Sequence, residues 1–425
     1  MSRPCQRLLA ACAALALAAS APVLAALAAG PDNTWTLLAP LPEAPDAPVF
    51  ALAVSPSDNQ LLLAGTQTGT IYRSRDGGKS WAPVRRDPGQ AVLSIAFSPA
   101  KPGLVLAGTR GAGVLRSSDS GQTWAVQPGL ERSVGRAFGF AKSFTAVGTE
   151  QGVLTVKDPG PAISAALPSV SVTALAISAV NDPSKLLAGG DATRGSEPLP
   201  LYNSLDGGQT WNPVTGVATS SNIVSALAAY GGALPPKADT RPVLLGTNSG
   251  LYSSADSGGT WQQLTGGGAL PATDFNQVAF TAAHADHYYV GSDGGASDQG
   301  GLWSTTDNGQ HFYPLHPPVA TVSALAVSAD EQPTLYIATF RPADHAVMLF
   351  GFHDTGGPVQ PPQQPIPTVP PAAAPAHSGQ AHTSTWLAAF VSGPEAPYLA
   401  LGVAAVAVIL LAGVAYFRRG RRRRL

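Results

Sequence analysis

Short apolar runs recur along most of the chain, separated by polar and glycine-rich turns. Residues 49–54 and 322–327 are two such runs, and each precedes a polar turn and a second apolar run. Two of the second runs, 61–66 and 104–109, end in Ala-Gly-Thr. Runs this short, without helical periodicity, predict β-strands. Because their apolar residues are continuous, we expect strands that are packed on both faces.

A motif of eight residues follows the third strand of most of these units. Its clearest copy reads SLDGGQTW at residues 204–211, and similar copies begin at Ser74, Ser117 and Ser254. A looser copy at 304–312 has Phe312 in the place of Trp, and two weaker copies keep only Asp-x-Gly. The aspartates of the seven copies are Asp76, Asp119, Asp158, Asp206, Asp256, Asp307 and Asp354. Their spacing of 39 to 51 residues predicts seven four-stranded units.

The residue types of the motif suit a tight hairpin between two strands. An Asp carboxylate accepts hydrogen bonds from turn amides that otherwise lack partners. Gly adopts positive φ without steric cost, and Trp buries a large apolar surface against the sheet. A catalytic carboxylate is needed once or twice and not seven times. We therefore assign a structural role to these aspartates and to the motif tryptophans Trp81, Trp124, Trp211 and Trp261.

The motif resembles the Asp-box, or BNR, repeat of β-propellers. The resemblance covers residues 32–357 and implies an all-β, seven-bladed β-propeller. Known Asp-box propellers include sialidases, xyloglucan-cleaving glycoside hydrolases, sortilin-type sorting receptors and the photosystem II assembly propeller. The motif therefore implies a fold and leaves the activity open. The Arg-Ile-Pro motif that sialidases carry near their start is absent from this sequence.

Two irregular units affect the number of blades. Residues 134–164 lack Thr-Trp, but the 87 residues between Asp119 and Asp206 make two periods, so we count this segment as a blade. The seventh unit stops after Gly356, and its missing Thr-Trp is found at Thr34-Trp35. We therefore predict that residues 33–38 form the outer strand of the last blade and close the ring.

The flanking segments predict export and anchoring. Residues 1–28 have the pattern of a secretory signal peptide and contain both cysteines, so the mature protein has none. Residues 358–396 form a Pro/Ala-rich linker, and 397–417 are an uncharged apolar run long enough for a transmembrane helix. The basic tail 418–425 is then cytoplasmic, with the propeller extracellular or periplasmic. Alternatively, the segment after about residue 394 is a sorting signal that is removed.

Charge limits the choice of partners. Two of the 25 Lys and Arg residues lie in the signal peptide and six in the tail, which leaves 17 against 26 acidic residues. The exported part is therefore negative and offers no basic field for nucleic acid. We expect a protein or glycan partner at the cell surface, and no cofactor or metal.

In a propeller, the loops that join second to third strands, and fourth to next first strands, lie opposite the Asp-box turns. We predict ligand binding on this loop face. The charged candidates there are Arg85, Arg86, Arg110, Arg132, Asp191, Arg194, Asp293, Asp298 and Arg341. Two local clusters are weaker signals: the Gly-rich segment 293–298 loosely resembles a calcium loop, and 284–287 reads His-Ala-Asp-His.

The sequence as a whole favours a membrane-anchored, extracytoplasmic propeller that acts as a binding or assembly module. The alternative is an extracellular glycoside hydrolase, sialidase-like or xyloglucanase-like, on the same scaffold. Such an enzyme needs two carboxylates at a defined separation, which the sequence does not give.

Overall fold

The computed structural model describes residues 32–43, 45–157, 160, 162–167, 170–178, 185–191, 199–217, 220–234, 240–271, 274–294, 300–341 and 345–361, with only the backbone of 162–166. No helix within these ranges has the length and apolar character needed to cross a membrane. The predicted signal peptide, the linker beyond residue 361, the predicted transmembrane helix and the basic tail lie outside them.

The described chain forms seven four-stranded antiparallel sheets, which confirms the predicted all-β, seven-bladed propeller. A short 3-10 helix covers Gly266–Gly268. The strands are β1 (Trp35–Leu37), β2 (Val49–Ser55), β3 (Asp58–Thr66), β4 (Thr70–Ser74), β5 (Ala82–Arg86), β6 (Val92–Phe97), β7 (Val105–Thr109), β8 (Val114–Ser117), β9 (Ala125–Val126), β10 (Gly135–Phe140), β11 (Thr145–Thr149), β12 (Gly152–Val156), β13 (Ala162–Ala166), β14 (Ser171–Ile177), β15 (Leu186–Asp191), β16 (Leu201–Ser204), β17 (Asn212–Pro213), β18 (Val224–Ala229), β19 (Val243–Thr247), β20 (Gly250–Ser254), β21 (Gln262–Leu264), β22 (Gln277–Phe280), β23 (Tyr288–Ser292), β24 (Gly301–Thr305), β25 (Tyr313–Pro314), β26 (Val322–Val327), β27 (Thr334–Arg341) and β28 (Ala346–His353).

Six blades consist of four consecutive strands, starting with β2 to β5 as blade 1 and ending with β22 to β25 as blade 6. The irregular segment at 134–164 supplies β10 to β13 and forms blade 3. The first strand of each blade contacts the first strand of the next, and β26 contacts β2. The first strands therefore form a closed inner ring.

The seventh blade is built from both ends of the domain, in the order β1-β28-β27-β26. Trp35 pairs with Phe352, and Leu37 pairs with Phe350. Trp35 is buried against these two aromatic rings, and its Nε1 donates a hydrogen bond of 2.7 Å to the carbonyl of Leu315 in blade 6. The N-terminal strand is thus the outer strand of the last blade.

Hydrophobic cores lie between blades as well as within them. One cluster joins Tyr289 and Leu302 of blade 6 to Val322 and Ile337 of blade 7. A hydroxyl group adds a hydrogen bond between first strands. Thr173 Oγ1 donates a hydrogen bond of 2.6 Å to the carbonyl of Val224 in the next blade. Because each blade shares its core with its neighbours, ring closure stabilises every blade.

The glycine near the end of the second strand has a packing reason in several blades. A Cβ at Gly148 would lie 2.7 Å from Val172 Cγ1, and one at Gly189 would lie 2.5 Å from Val224 Cβ, in each case on the next blade. Where Thr follows this glycine, it caps the turn, as at Thr247, whose Oγ1 donates a hydrogen bond of 2.8 Å to the carbonyl of Gly250. Gly therefore allows close blade contact, and Thr closes the loop on the opposite face from the Asp-box turns.

Candidate functional site

The Asp-box carboxylates are engaged within their own turns. Asp206 Oδ1 accepts hydrogen bonds from Ser204 Oγ (2.8 Å) and from the Gln209 and Thr210 amides (2.9 Å each). Its Oδ2 accepts from the Thr210 hydroxyl at 2.6 Å. The Thr210 hydroxyl and amide, with smaller contributions from Ser204 and Gln209, lower the pKa of Asp206 to about 2. Similar turns hold Asp76, Asp119, Asp256 and Asp307.

The glycines and tryptophans of these turns follow the same scheme with some variation. Gly207 and Gly208 have positive φ, 75° and 89°. Trp81 is buried, whereas Trp124, Trp211 and Trp261 are half-buried. The indoles of Trp124 and Trp211 donate to a glycine carbonyl of their own turn, at 3.1 Å. Asp158, the aspartate of the third copy, lies outside the described residues.

The turn at Asp354 is built differently. Asp354 Oδ1 accepts the amide of Gly356 (2.8 Å), and Oδ2 accepts the hydroxyl of Tyr289 from blade 6 (2.7 Å). The two halves of the turn are joined instead by the side chain of Asn33. Its Nδ2 donates a hydrogen bond of 2.7 Å to Thr355 Oγ1, and its Oδ1 accepts one of 3.0 Å from the Thr355 amide. Sequence reasoning missed Asn33 and Tyr289, because neither belongs to the repeated motif.

His287 lies beside this turn. Its Nε2 is 3.9 Å from Asp354 Oδ2, is buried and has no hydrogen-bond partner among the described residues. Burial lowers the pKa of His287, with a smaller opposing effect from Asp354. The neighbouring His284 and Asp286 are exposed. No group of three or more His, Cys, Asp or Glu suited to a metal ion occurs in the described part of the chain.

The described loop-face candidates all lie at strand ends away from the Asp-box turns. They are Arg85 and Arg86 at the end of β5, Arg110 after β7, Arg132 between β9 and β10, Asp191 at the end of β15, Asp293 after β23 and Arg341 at the end of β27. Arg194 and Asp298 lie outside the described residues, as does most of the calcium-like segment 293–298.

Two of the loop-face arginines are neutralised within the chain. Arg85 Nε is 2.7 Å from Asp87 Oδ2, and its Nη2 donates 2.9 Å to Asp87 Oδ1. Arg86 Nη2 donates to both carboxylate oxygens of Glu43, at 2.7 and 2.8 Å. These paired guanidiniums are already occupied by carboxylates, so they are poor candidates for an incoming ligand.

Arg110 and Arg132 differ from that pair. Both side chains are exposed, and neither forms a hydrogen bond or ion pair with a described residue. They lie on either side of blade 2, in the β7–β8 and β9–β10 connections. A hydrogen bond from the backbone amide of Gly129 is the main cause of the lowered pKa of Glu131, and the charge of Arg132 makes a smaller contribution in the same direction. This part of the loop face therefore presents two guanidiniums to solvent.

Arg136 lies near these two and was not among the sequence candidates. The pairing of β10 with β11 shifts register between Gly135 and Ala137, so Arg136 occupies a bulge in the first strand of blade 3. Its Nε is buried and lies 4.0 Å from Glu150 Oε1. Sequence reasoning missed it because it lies within a strand, where apolar residues set the pattern.

The acidic candidates lie on other blades. Asp191 belongs to blade 4, and Asp293 follows the second strand of blade 6. Asp274, which precedes β22, is half-buried and accepts a hydrogen bond of 2.8 Å from Ser225 Oγ. Burial raises the pKa of Asp274; the Ser225 hydroxyl opposes that rise, and the nearby Asp293 adds to it. The acidic candidates therefore lie on different blades from Arg110 and Arg132.

Comparison with known proteins supports the fold. No protein-family model and no curated protein matches the chain. Among solved structures, it is similar to YCF48 bound to D1 peptide, with 18% identity and a TM-score of 0.51 over 76% of this chain and 98% of that one. YCF48 from Cyanidioschyzon merolae has 15% identity and a TM-score of 0.49 over 75% and 99%.

A further similar structure is the GH74 xyloglucanase from Xanthomonas campestris. It has 18% identity and a TM-score of 0.39, over 68% of this chain and 55% of that one. At such identities, similarity describes architecture and not activity. The chain is accordingly a seven-bladed β-propeller.

Proposed function

We propose that the protein is a membrane-anchored, extracytoplasmic propeller that binds an acidic segment of a protein partner through its loop face. The observation that carries this proposal is the pair Arg110 and Arg132, which are exposed and form no ion pair with a described residue. A planar guanidinium binds a carboxylate with two parallel hydrogen bonds. Two of them on one blade suit a partner that carries more than one carboxylate.

The backbone that carries the two arginines is held in place before any partner arrives. The Arg110 amide donates 2.9 Å to the carbonyl of Ala91. In the second loop, the Glu131 carboxylate accepts the Gly129 amide at 2.9 Å, and the Leu130 side chain is fully buried. Loops that are already ordered lose little conformational entropy on binding, which favours affinity.

The type of scaffold also supports a peptide partner. YCF48, a protein of similar fold, is described in complex with D1 peptide. In this chain, the described residues end at Pro361, near the Asp-box rim where Gln360 bridges to Thr34. The loop face is the opposite rim, so it is the better candidate for a partner in a protein tethered by its C-terminal end.

Charge reversal tests the proposal. The full-length protein in detergent is titrated with a fluorescent Glu-rich peptide and with the same peptide carrying Gln for Glu. We expect the double variant Arg110→Glu, Arg132→Glu to lose about ten-fold or more in affinity for the Glu-rich peptide. The matched control is Arg75→Glu, an exposed arginine in an Asp-box turn on the opposite rim. Equal affinities in all three proteins, or equal losses in both variants, would contradict the proposal.

The alternative of a glycoside hydrolase is favoured by one observation. Asp274 is half-buried, its pKa is raised by burial, and Asp293 is close enough to raise it further. Glycosidases pair a carboxyl of raised pKa with a second carboxyl group. The same protein preparation, incubated with xyloglucan and with sialylated glycans, distinguishes the two functions. If the protein releases sugar and Asp274→Asn abolishes that release, the function is hydrolysis and not binding.

A further inference from the structure

The chain does not leave the propeller directly after the Asp354 turn. Residues 357–360, here named the C-terminal strap, turn back across the start of β1. The Gln360 amide donates 2.7 Å to the carbonyl of Asn33, and Gln360 forms a parallel bridge with Thr34. The entry to β1 is therefore held by β28 on one side and by the strap on the other.

Apolar packing adds to this contact. Val359 is half-buried and packs against the core cluster that contains Trp35 and Phe352. A Cβ at Gly357 would lie only 2.6 Å from Asn33 Nδ2, so the strap passes close over this side chain. The strap thus contacts both the backbone and the core of the closing strand, although the sequence assigns residues 358–360 to the linker.

Asn33 connects the segments that meet where the two ends of the propeller join. Its amide donates 2.8 Å to the carbonyl of His353, its side chain exchanges two hydrogen bonds with Thr355, and its carbonyl accepts from Gln360. Its φ of 53° lies in the left-handed region that Asn tolerates better than most residues. One residue therefore joins the N-terminal strand to β28, to the Asp354 turn and to the strap.

The closing strand needs this support because it is short. β1 has three residues, and it closes a ring that spans more than three hundred residues of chain. The contact of β26 with β2 closes the inner ring, and β1 adds the outer strand that links the two ends of the domain. Contacts made by the strap at the entry to β1 therefore act on the strand that links the two ends of the domain.

We propose that the C-terminal strap holds the ring closed: β1 stays docked only while residues 357–360 lie across its first residues. Closure of the propeller is then coupled to the chain that leads to the predicted anchor. Cleavage or pulling within the strap would release β1, whereas cleavage beyond Pro361 would leave it in place. This inference does not depend on the ligand proposed for the loop face.

A pair of substitutions at residue 360 tests the inference in the full chain. Gln360→Pro removes the amide that bonds Asn33, and Gln360→Ala keeps it. Both variants lose the contact from the Gln360 side chain to the Pro358 carbonyl, so they differ in the backbone donor. The measurement is hydrogen exchange of the amides of Asn33, β1 and Leu38, with β6 amides as an internal reference.

We expect amide exchange in β1 to be about ten-fold faster or more in Gln360→Pro than in Gln360→Ala, with β6 unchanged. The Ala variant should match the wild type. If Gln360→Pro does not fold, Val359→Ser supplies the test, because it removes the apolar contact of the strap and should also accelerate exchange in β1. Equal exchange of β1 in the Pro and Ala variants would overturn the inference. If the Pro variant does not fold, unchanged exchange of β1 in Val359→Ser would overturn it.

Discussion

At the scale of single residues, the Asp206 carboxylate supplies the hydrogen-bond acceptor that a tight turn lacks. Its two oxygens accept four hydrogen bonds, all from residues 204–210. The sequence pattern predicts this arrangement because every donor lies within a few residues of the aspartate. The same reasoning fails at Asp354, where Tyr289 donates from 65 residues away.

Replacing Asp206 by Ala should lower the melting temperature at pH 7 by a few degrees and leave peptide binding on the loop face unchanged. The folded pKa of Asp206 is about 2 against an ordinary 3.8. A lowered pKa stabilises the fold above the unfolded value, and this contribution is lost as the pH falls from about 4 to 2. Thermal melts at pH 7, 4 and 2 should therefore show that the difference in melting temperature between variant and wild type becomes smaller as the pH falls. A variant that melts like the wild type at pH 7 but no longer binds peptide would show that the turn is a binding site.

His287, beside the turn at Asp354, should make the stability of the protein sensitive to acid. Burial lowers its folded pKa below the ordinary 6.5, so the unfolded chain binds a proton more readily than the folded one. Stability should then fall as the pH drops through and below 6.5. The groups that face its imidazole are Asp354, His284 and Asp286.

We expect the melting temperature of the wild type to fall more between pH 7.5 and 5 than that of His287→Gln. The other histidines are the same in both proteins, so their effects cancel in the comparison. An NMR titration of the imidazole measures the pKa directly. A pKa above 6.5, or equal losses of stability in the two proteins, would show that the assigned direction is wrong.

At the scale of strands, a glycine in the second strand lets some blades approach their neighbours closely. Gly189 of β15 lies against Val224 of β18, and no side chain fits between them. The sequence shows a glycine near the end of many second strands but not its cause, because the contact is made with a strand of the following blade. The period of the repeats predicts strands, and only the ring shows what the glycines do.

Gly189→Ala should cost about 1–3 kcal/mol of unfolding free energy, since its Cβ would overlap the side chain of Val224. Gly231→Ala is the control: an added Cβ there meets no atom within 4 Å. Chemical denaturation of both variants measures the difference. Equal stabilities would mean that the two blades shift apart at little cost.

At the scale of the whole molecule, the number of blades and the closure by Trp35 follow from a repeated motif that is divided between the two ends. The pairing of charges on the loop face does not follow in the same way. Arg86 pairs with Glu43 of the β1–β2 connection, whereas Arg110 pairs with no carboxylate of the described residues. Such pairings depend on distances between loops that no repeat encodes. The sequence therefore places these arginines on the loop face, and the structure shows which of them are paired with a carboxylate.

The most direct test of the central claim is where a bound acidic peptide protects the propeller. Hydrogen exchange of the full-length protein is measured with and without a saturating Glu-rich peptide. Binding through Arg110 and Arg132 predicts slower exchange in the β7–β8 and β9–β10 connections, with the Asp-box turns at Asp76 and Asp206 unchanged. Protection confined to the Asp-box turns, or no protection at saturation, would contradict binding by the loop face.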